Sequence, residues 1–305
     1  MGDAWIVECS YRQLSDRTID SRRRTLAQLD YWMREYHHDV LDSDAVKAFL
    51  VYLHDARPGG RWGQASHKAG RDSRPSTIWT YWTTLRSWCR WMSSEGHTDG
   101  YLMDGIKAPK KTVDQIVPFS QAQIRALAQA AKLSDNPARD EAVVAVLIDT
   151  GMRAAELCAM RIADVDLAGH KLWIARGKGD KGRAVYIGLS AARAITRYLR
   201  KRTADMDEPL IMSERGGRMT TSGLGQLVER LGRKARVQGV RCSPHTFRHS
   251  MAVMFLRNGG HVFALKEILG HTTLHMTNRY VLIAQADAQA QHVLHSPADA
   301  VFRSR

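Results

Sequence analysis

Apolar residues return at three- and four-residue spacing along most of this chain, and only one stretch, KLWIARGKGDKGRAVYIG at 171–188, breaks into two β-like runs around a Gly/Lys turn. A period near 3.6 gives a helix one buried stripe but scatters the same residues over both faces of a strand. The pattern therefore predicts a mainly α fold with a small β-hairpin. Helices are expected over Thr25–Tyr36, Asp44–Leu53 and Thr77–Met92, the last with Ile78, Trp82, Leu85, Trp88 and Met92 on one face. Its tryptophans read as core anchors in preference to base-stacking platforms. Between the second and third helices, RPGGRWGQASHKAGRDSRPS (57–76) reads as a long loop, either functional or disordered.

A chain of 305 residues, 44% hydrophobic and 25% charged, is ordinary globular material, large enough for one big domain or two average ones. Its net charge of +14 is not ordinary and points to a polyanionic partner, nucleic acid first and an acidic membrane second. The longest apolar run near the middle, Ala142–Ile148, is too short to span a bilayer, and the N-terminal residues lack a secretory pattern. Cys9, Cys89, Cys158 and Cys242 show no CxxC spacing, which argues for reduced thiols and a cytoplasmic location, and against a zinc ribbon.

DGIKAPKKTVDQIVP (104–118) has no periodicity, two prolines and three lysines. It reads as a linker, either a basic strap along phosphates or a solvated connection. The organisation expected is a helical domain over 1–104, the linker over 105–118 and a second, mostly helical domain over 119–305. The second domain should open with a capping box, Ser120 with Gln123. A buried helix over Asp140–Asp149 should follow, ended at Thr150-Gly151. The strands should be Lys171–Ala175 and Ala184–Ile187, with helices from Ser190 to the end. After about Gln285 the tail keeps isolated apolar residues, Val293-Leu294 and Val301-Phe302, suited to docking.

Six residues of the second domain fit one chemistry. Arg153 lies just past the Gly151 break, and Lys178 in the hairpin turn. His245 and Arg248 stand three apart behind Ser243-Pro244, a helix cap and first-turn proline. His271 follows, with Tyr280 nine residues beyond. The turn GKGDKG lacks P-loop spacing. His245 and His249 have HxxxH spacing, but no Glu stands between them as in a zincin, and Arg248 would repel a cation. Arginines, histidines and a lysine with almost no carboxylates suit a pentacoordinate phosphate, whose nonbridging oxygens gain charge that guanidinium forks can stabilise. The lysine suits protonation of a leaving oxygen. Surrounding positive charge is expected to favour the phenolate of a nucleophilic tyrosine, and a nearby imidazole can accept its proton. Lack of a carboxylate cluster argues against a two-metal route.

The ordered set Arg153, Lys178, His245-x-x-Arg248, His271, Tyr280 resembles the tyrosine recombinases, the family of phage integrases and Xer-type enzymes. TGMRAAEL resembles the first-arginine box, GKGDKGR the hairpin lysine, HTFRHS the His-x-x-Arg box, and LGHTTLHMTNRY the His-to-Tyr segment. By motif the resemblance covers residues 118–283; the earlier helical region is similar to the family's core-binding domain only by position, size and pattern. Phe247 stands where a leucine is common, and Tyr186 where a proline is frequent. Only about ten residues precede the first helical region, which suggests a two-domain recombinase without an arm-binding domain.

What the resemblance implies is as follows. Tyr280 attacks the scissile phosphate to give a 3′-phosphotyrosyl DNA and a free 5′-hydroxyl. Arg153 and Arg248 clamp the nonbridging oxygens with help from His271, and Lys178 protonates the 5′-oxygen. His245 assists proton transfer involving Tyr280, and Glu156 supports the site. The covalent link conserves the phosphodiester energy, so no cofactor, ATP or metal is required. The two domains form a C-shaped clamp on double-stranded DNA, and four protomers form a homo-tetramer on two recombination sites. Accessory DNA-bending or directionality proteins are further candidate partners. The readings set beside site-specific integration, excision or resolution are a type IB topoisomerase and a DNA-binding regulator with an inactive site.

Overall fold

The computed structural model describes residues 1–55, 62, 73–110, 117–175, 182–202, 205–284, 292–293 and 296–302. It divides into two compact units, Met1–Asp114 and Gln115–Arg305.

The first unit holds helices α1 (Gly2–Tyr11), α2 (Asp16–Glu35), α3 (Ser43–His54) and α4 (Pro75–Ser94). The starts of α2, α3 and α4 have local causes. Ser15 accepts from the Thr18 amide at 3.3 Å, Asp42 accepts from the Ala45 amide at 2.8 Å, and Pro75 supplies the pre-set first turn of α4. Trp5, Trp32, Phe49, Trp82, Leu85, Trp88 and Met92 form the core, so the tryptophans of α4 named above are buried anchors. Helix α2 begins nine residues before the expected Thr25, because DRTIDSRRR carries no apolar stripe and only its Ser15 cap marks the start. Arg22 from that polar turn lies 4.7 Å over the Trp5 ring and donates to Cys9 Sγ at 2.9 Å, which fixes α1 on α2. Most of the expected 57–76 loop lies outside the described residues.

The second unit opens with α5 (Gln121–Lys132), whose capping box is formed in both directions: the Gln123 amide donates to Ser120 Oγ at 3.1 Å, and the Ser120 amide to Gln123 Oε1 at 2.9 Å. Helix α6 (Pro137–Thr150) is buried on nearly every side and packs against α5 and two later helices, α8 (Leu189–Leu199) and α10 (Pro244–Arg257), which makes it the axis of the unit. Burying each of its Val143, Val146 and Leu147 side chains contributes about 1.5–3 kcal/mol. It ends at Gly151, whose φ of 59° lies in the left-handed region. A Cβ there would also sit 3.1 Å from Leu269 Cδ2 and 3.2 Å from Met251 Sδ.

After α7 (Ala154–Ala159) come β1 (Val165–Asp166), β2 (Lys171–Ile174) and β3 (Arg183–Tyr186), an antiparallel sheet in that order. Leu172 pairs with Val185 and Ile174 with Arg183. Leu172, Ile174 and Val185 face inward, while Trp173 and Tyr186 face out. Strand β1 was not expected; at two residues it is too short to show a period. Helices α8 (Leu189–Leu199), α9 (Thr221–Lys234), α10 (Pro244–Arg257), α11 (Val262–Leu269), α12 (Leu274–Ala284) and α13 (Pro297–Phe302) complete the unit. The expectation of helix throughout from Ser190 fails between α8 and α9. There Gly216 and Gly217 turn the chain at positive φ, and isolated bridges join Arg161 to Pro209 and Met212 to Arg218. The fold is mainly α with a small sheet. Among the described residues, no helix is long and apolar enough to cross a membrane.

Candidate active site

Three chain breaks in the second unit bring the site together. The left-handed turn at Gly151 releases α6 and places Arg153 as the cap of α7. Its amide donates to Glu156 Oε2 at 2.7 Å and its guanidinium to Glu156 Oε1 at 2.9 Å, so Glu156 fixes both ends of the residue. Ser243 caps α10 by accepting from the Thr246 amide at 3.2 Å, with Pro244 in the first turn. His245, Arg248 and His249 then lie on one face, at i, i+3 and i+4. Arg248 is 3% exposed; it donates through Nη1 to Gly151 O at 2.8 Å and through Nη2 to Leu269 O at 2.7 Å. One side chain thus ties the end of α6 to the end of α11.

Helix α11 stops at Gly270, φ 63°, and the next residue is His271. The Nδ1 of His271 pairs with the buried hydroxyl of Thr277 at 2.9 Å. Tyr280 follows on α12, 4% exposed, with its hydroxyl 2.8 Å from Nδ1 of His249. The His271 and Tyr280 rings stack with centroids 6.2 Å apart. His245 packs edge-to-face on His249 with centroids 4.2 Å apart. Arg153, His245, Arg248, His271 and Tyr280 therefore share one pocket. Lys178 lies outside the described residues, although the base of its hairpin is set by the Ile174–Arg183 pairing.

Arg183, not singled out in the sequence, organises the pocket's rim. Its Nη1 and Nη2 each donate to Glu156 at 2.9 Å, and its Nε donates to Ile268 O at 3.1 Å. Burial alone would raise the Glu156 carboxyl, but the bonds from Arg183 and Arg153 outweigh it and hold the group below its usual range. Thr277 and His249 were likewise assigned no role from sequence, since a side chain's partner across helices leaves no local pattern. The last cation of GKGDKGR and the second histidine of HTFRHS were the signals available.

The electrostatics correct one expectation. Positive charge was expected to favour the Tyr280 phenolate. Instead burial, the largest influence, raises the phenol above its ordinary value despite the opposing pull of Arg248, Arg279 and Arg153. The same burial, reinforced by neighbouring cations, lowers His245, and takes His249 and His271 down to about 4. Arg248 falls to about 10, first from burial and then from Arg153. The pocket thus presents neutral imidazoles and a neutral phenol beside fixed guanidinium charge. Among the described residues, no three His, Cys, Asp or Glu side chains are grouped to share a cation.

A model described as the phage integrase family matches residues 118–286, more than half of the chain. The chain belongs to this family. Among similar integrase-family proteins, the tyrosine recombinase XerC of Xanthomonas axonopodis pv. citri (strain 306) is 28% identical over 276 residues, covering 88% of this chain and 87% of that protein. The XerH site-specific recombinase, solved bound to its palindromic difH substrate in a post-cleavage complex, superposes with a TM-score of 0.68 at 19% identity, over 90% of this chain and 78% of that one. The Tn1549 transposon integrase, solved in complex with circular intermediate DNA, gives a TM-score of 0.66 at 17% identity, over 90% and 92%. The matched span of this integrase runs from just before α5 to just past α12, and so includes every side chain of the pocket described above.

Proposed function

We propose that this chain cuts and rejoins DNA through Tyr280. The function is site-specific DNA recombination, and the enzyme is a tyrosine recombinase. The observation that carries the catalytic reading is the Tyr280 hydroxyl bonded at 2.8 Å to an imidazole, inside a pocket lined by Arg153, Arg248, His245 and His271.

In this reading the phenol oxygen attacks phosphorus while its proton passes to a histidine of the α10 cluster. The P–O5′ bond breaks, and the departing 5′-oxygen takes a proton from Lys178. Arg153 and Arg248 stabilise the nonbridging oxygens. Arg248 spends two N–H groups on backbone carbonyls, which hold its fork in place beside the Tyr280 hydroxyl, to which it also donates. His271, oriented by Thr277, supplies a further hydrogen bond. Rejoining reverses each step: the 5′-hydroxyl of a partner strand attacks, and tyrosine regains its proton.

Double-stranded DNA is the partner, as the XerH and Tn1549 complexes support. A tetramer on two sites is part of the reading, with the exposed Val301 and Phe302 of α13 suited to docking on a neighbour. So are accessory DNA-bending or directionality proteins and a cytoplasmic location. No observation favours a type IB topoisomerase or a silent DNA-binding regulator.

Covalent trapping tests it. The protein in EDTA is mixed with labelled duplex fragments tiling the DNA around its own coding region, then denatured in detergent. An adduct that Tyr280→Phe abolishes, with duplex binding retained, is the expected result; an adduct that survives Tyr280→Phe overturns the assignment.

A further inference from the structure

The pocket holds two histidines one helical turn apart, and they do not stand alike towards the tyrosine. Nδ1 of His249 lies 2.8 Å from Tyr280 Oη, with ring centroids 5.5 Å apart. His245 is one ring further out, packed edge-to-face against His249. Arg248 and Arg279 act on both rings, and Arg153 acts on His245 as well, on the side where a phosphate would be gripped. The helix sets this division. Residues i and i+4 lie one above the other on a helix surface, so α10 offers α12 its histidine at 249 and leaves the one at 245 towards the helix start.

We infer that His249 is a catalytic residue of this recombinase, the group that accepts the Tyr280 proton during cleavage and returns it during rejoining. The inference rests on the reading of Tyr280 as nucleophile and adds to it the base.

The chemistry is balanced within the pocket. Tyr280 Oη–H donates to the unprotonated Nδ1 of His249, whose own proton is then on Nε2. As the O–P bond forms, the phenolic proton moves to Nδ1 and the ring becomes an imidazolium. The proton returns to the phenol oxygen when the 5′-hydroxyl displaces it. The charged and titratable groups facing His249 are His245 and Arg248 on α10 and Arg279 and Tyr280 on α12. Burial first, then His245, Arg279 and Arg248, keep this imidazole unprotonated at neutral pH, so its lone pair is available. A phosphodiester seated among the arginines carries the negative charge that offsets those cations, and raises the basicity of the ring when the substrate is in place. Without such an acceptor only the small phenolate fraction reacts, because burial raises the phenol's own pKa.

The test uses full-length protein and the duplex identified by trapping. His249→Asn places an amide oxygen near the Nδ1 position, so it can accept the phenol hydrogen bond but cannot take the proton; His249→Ala removes both. Both variants are expected to bind the duplex as wild type does and to form adduct about 10²–10⁴-fold more slowly, the usual contribution of a positioned base. Their rates should climb about tenfold per pH unit above neutrality, as phenolate alone becomes the nucleophile, whereas the wild-type rate should be nearly flat there. A duplex with a sulfur-substituted 5′ leaving atom, which departs without a proton, should not restore either variant. A wild-type rate for His249→Asn would show that the ring only positions the phenol and would overturn the inference, as would faster cleavage by His249→Ala. If Tyr280→Phe still forms the adduct, the underlying reading fails and the inference fails with it.

Discussion

In the proposed mechanism Arg248 serves folding and chemistry at once. Its two carbonyl bonds, to Gly151 and Leu269, join segments that are distant in sequence, and both acceptors are buried beside it. Lysine carries the charge but not the planar fork, so Arg248→Lys leaves at least one carbonyl without a donor. The expected cost is about 1–3 kcal/mol in urea denaturation of the second unit. A loss of roughly 10²-fold or more in adduct formation should accompany it, since in the proposed mechanism the fork also grips the phosphate. Unchanged stability would mean that the carbonyls find other donors. The motif HTFRHS displayed Arg248 plainly, but it could not say which histidine meets the phenol. That depends on where α12 lies against α10, which is a matter of packing and not of local spacing.

At the level of elements, the site is held by the ends of helices. Arg183 on β3 joins the start of α7 through Glu156 and the end of α11 through Ile268, and so ties β3 to the chain beside Arg153 and His271. Arg183→Met would keep the apolar stem and leave Glu156 with Arg153 alone. With both partners partly exposed, side chains 11% and 14%, the expected loss is about 2–3 kcal/mol, at or below the low end of what breaking a buried pair costs. Cleavage should fall even where the variant is fully folded, and a normal rate would show that β3 is held by other means. The α10–α12 cluster also sets a pH dependence. His249 and His271 titrate near 4 when folded and near 6.5 when unfolded. The unfolded chain therefore binds more protons between those values, and stability falls as pH drops through this window, by about 1.4 kcal/mol per pH unit for each histidine. Above about 6.5 these two groups contribute no slope. Urea midpoints measured from pH 4.5 to 7.5 should show this, and His271→Gln should flatten the acid side. Long amphipathic helices and caps such as Ser120–Gln123 were legible because their signals are local. Helix α1, the two-residue β1 and the irregular span between α8 and α9 were not, since tertiary packing decides them.

For the whole molecule the net charge of +14 is the dominant property, and its use can be read from salt dependence. Each phosphate neutralised by a cation releases counterions, so the logarithm of the duplex binding constant falls with log salt by about 0.9 per contact. The sequence left two readings for the basic segment over 105–118: a strap on phosphates or a solvated connection. Lys107 and Lys110 are the described lysines of that segment, and both are exposed. The strap reading, which we propose, predicts that Lys107→Gln with Lys110→Gln lowers the magnitude of the salt slope by about 2, and weakens binding by a similar factor on every duplex sequence, since phosphate contacts carry no base information. A solvated linker predicts an unchanged slope, because charges more than a Debye length of about 8–10 Å from the duplex are screened. Titrations from 50 to 300 mM NaCl, on the trapped site and on an unrelated duplex, separate the two. They also bear on mechanism. A strap that holds the duplex backbone would raise the lifetime of the complex through both strand exchanges, and the double variant should then release singly exchanged intermediates that the wild-type enzyme carries to completion.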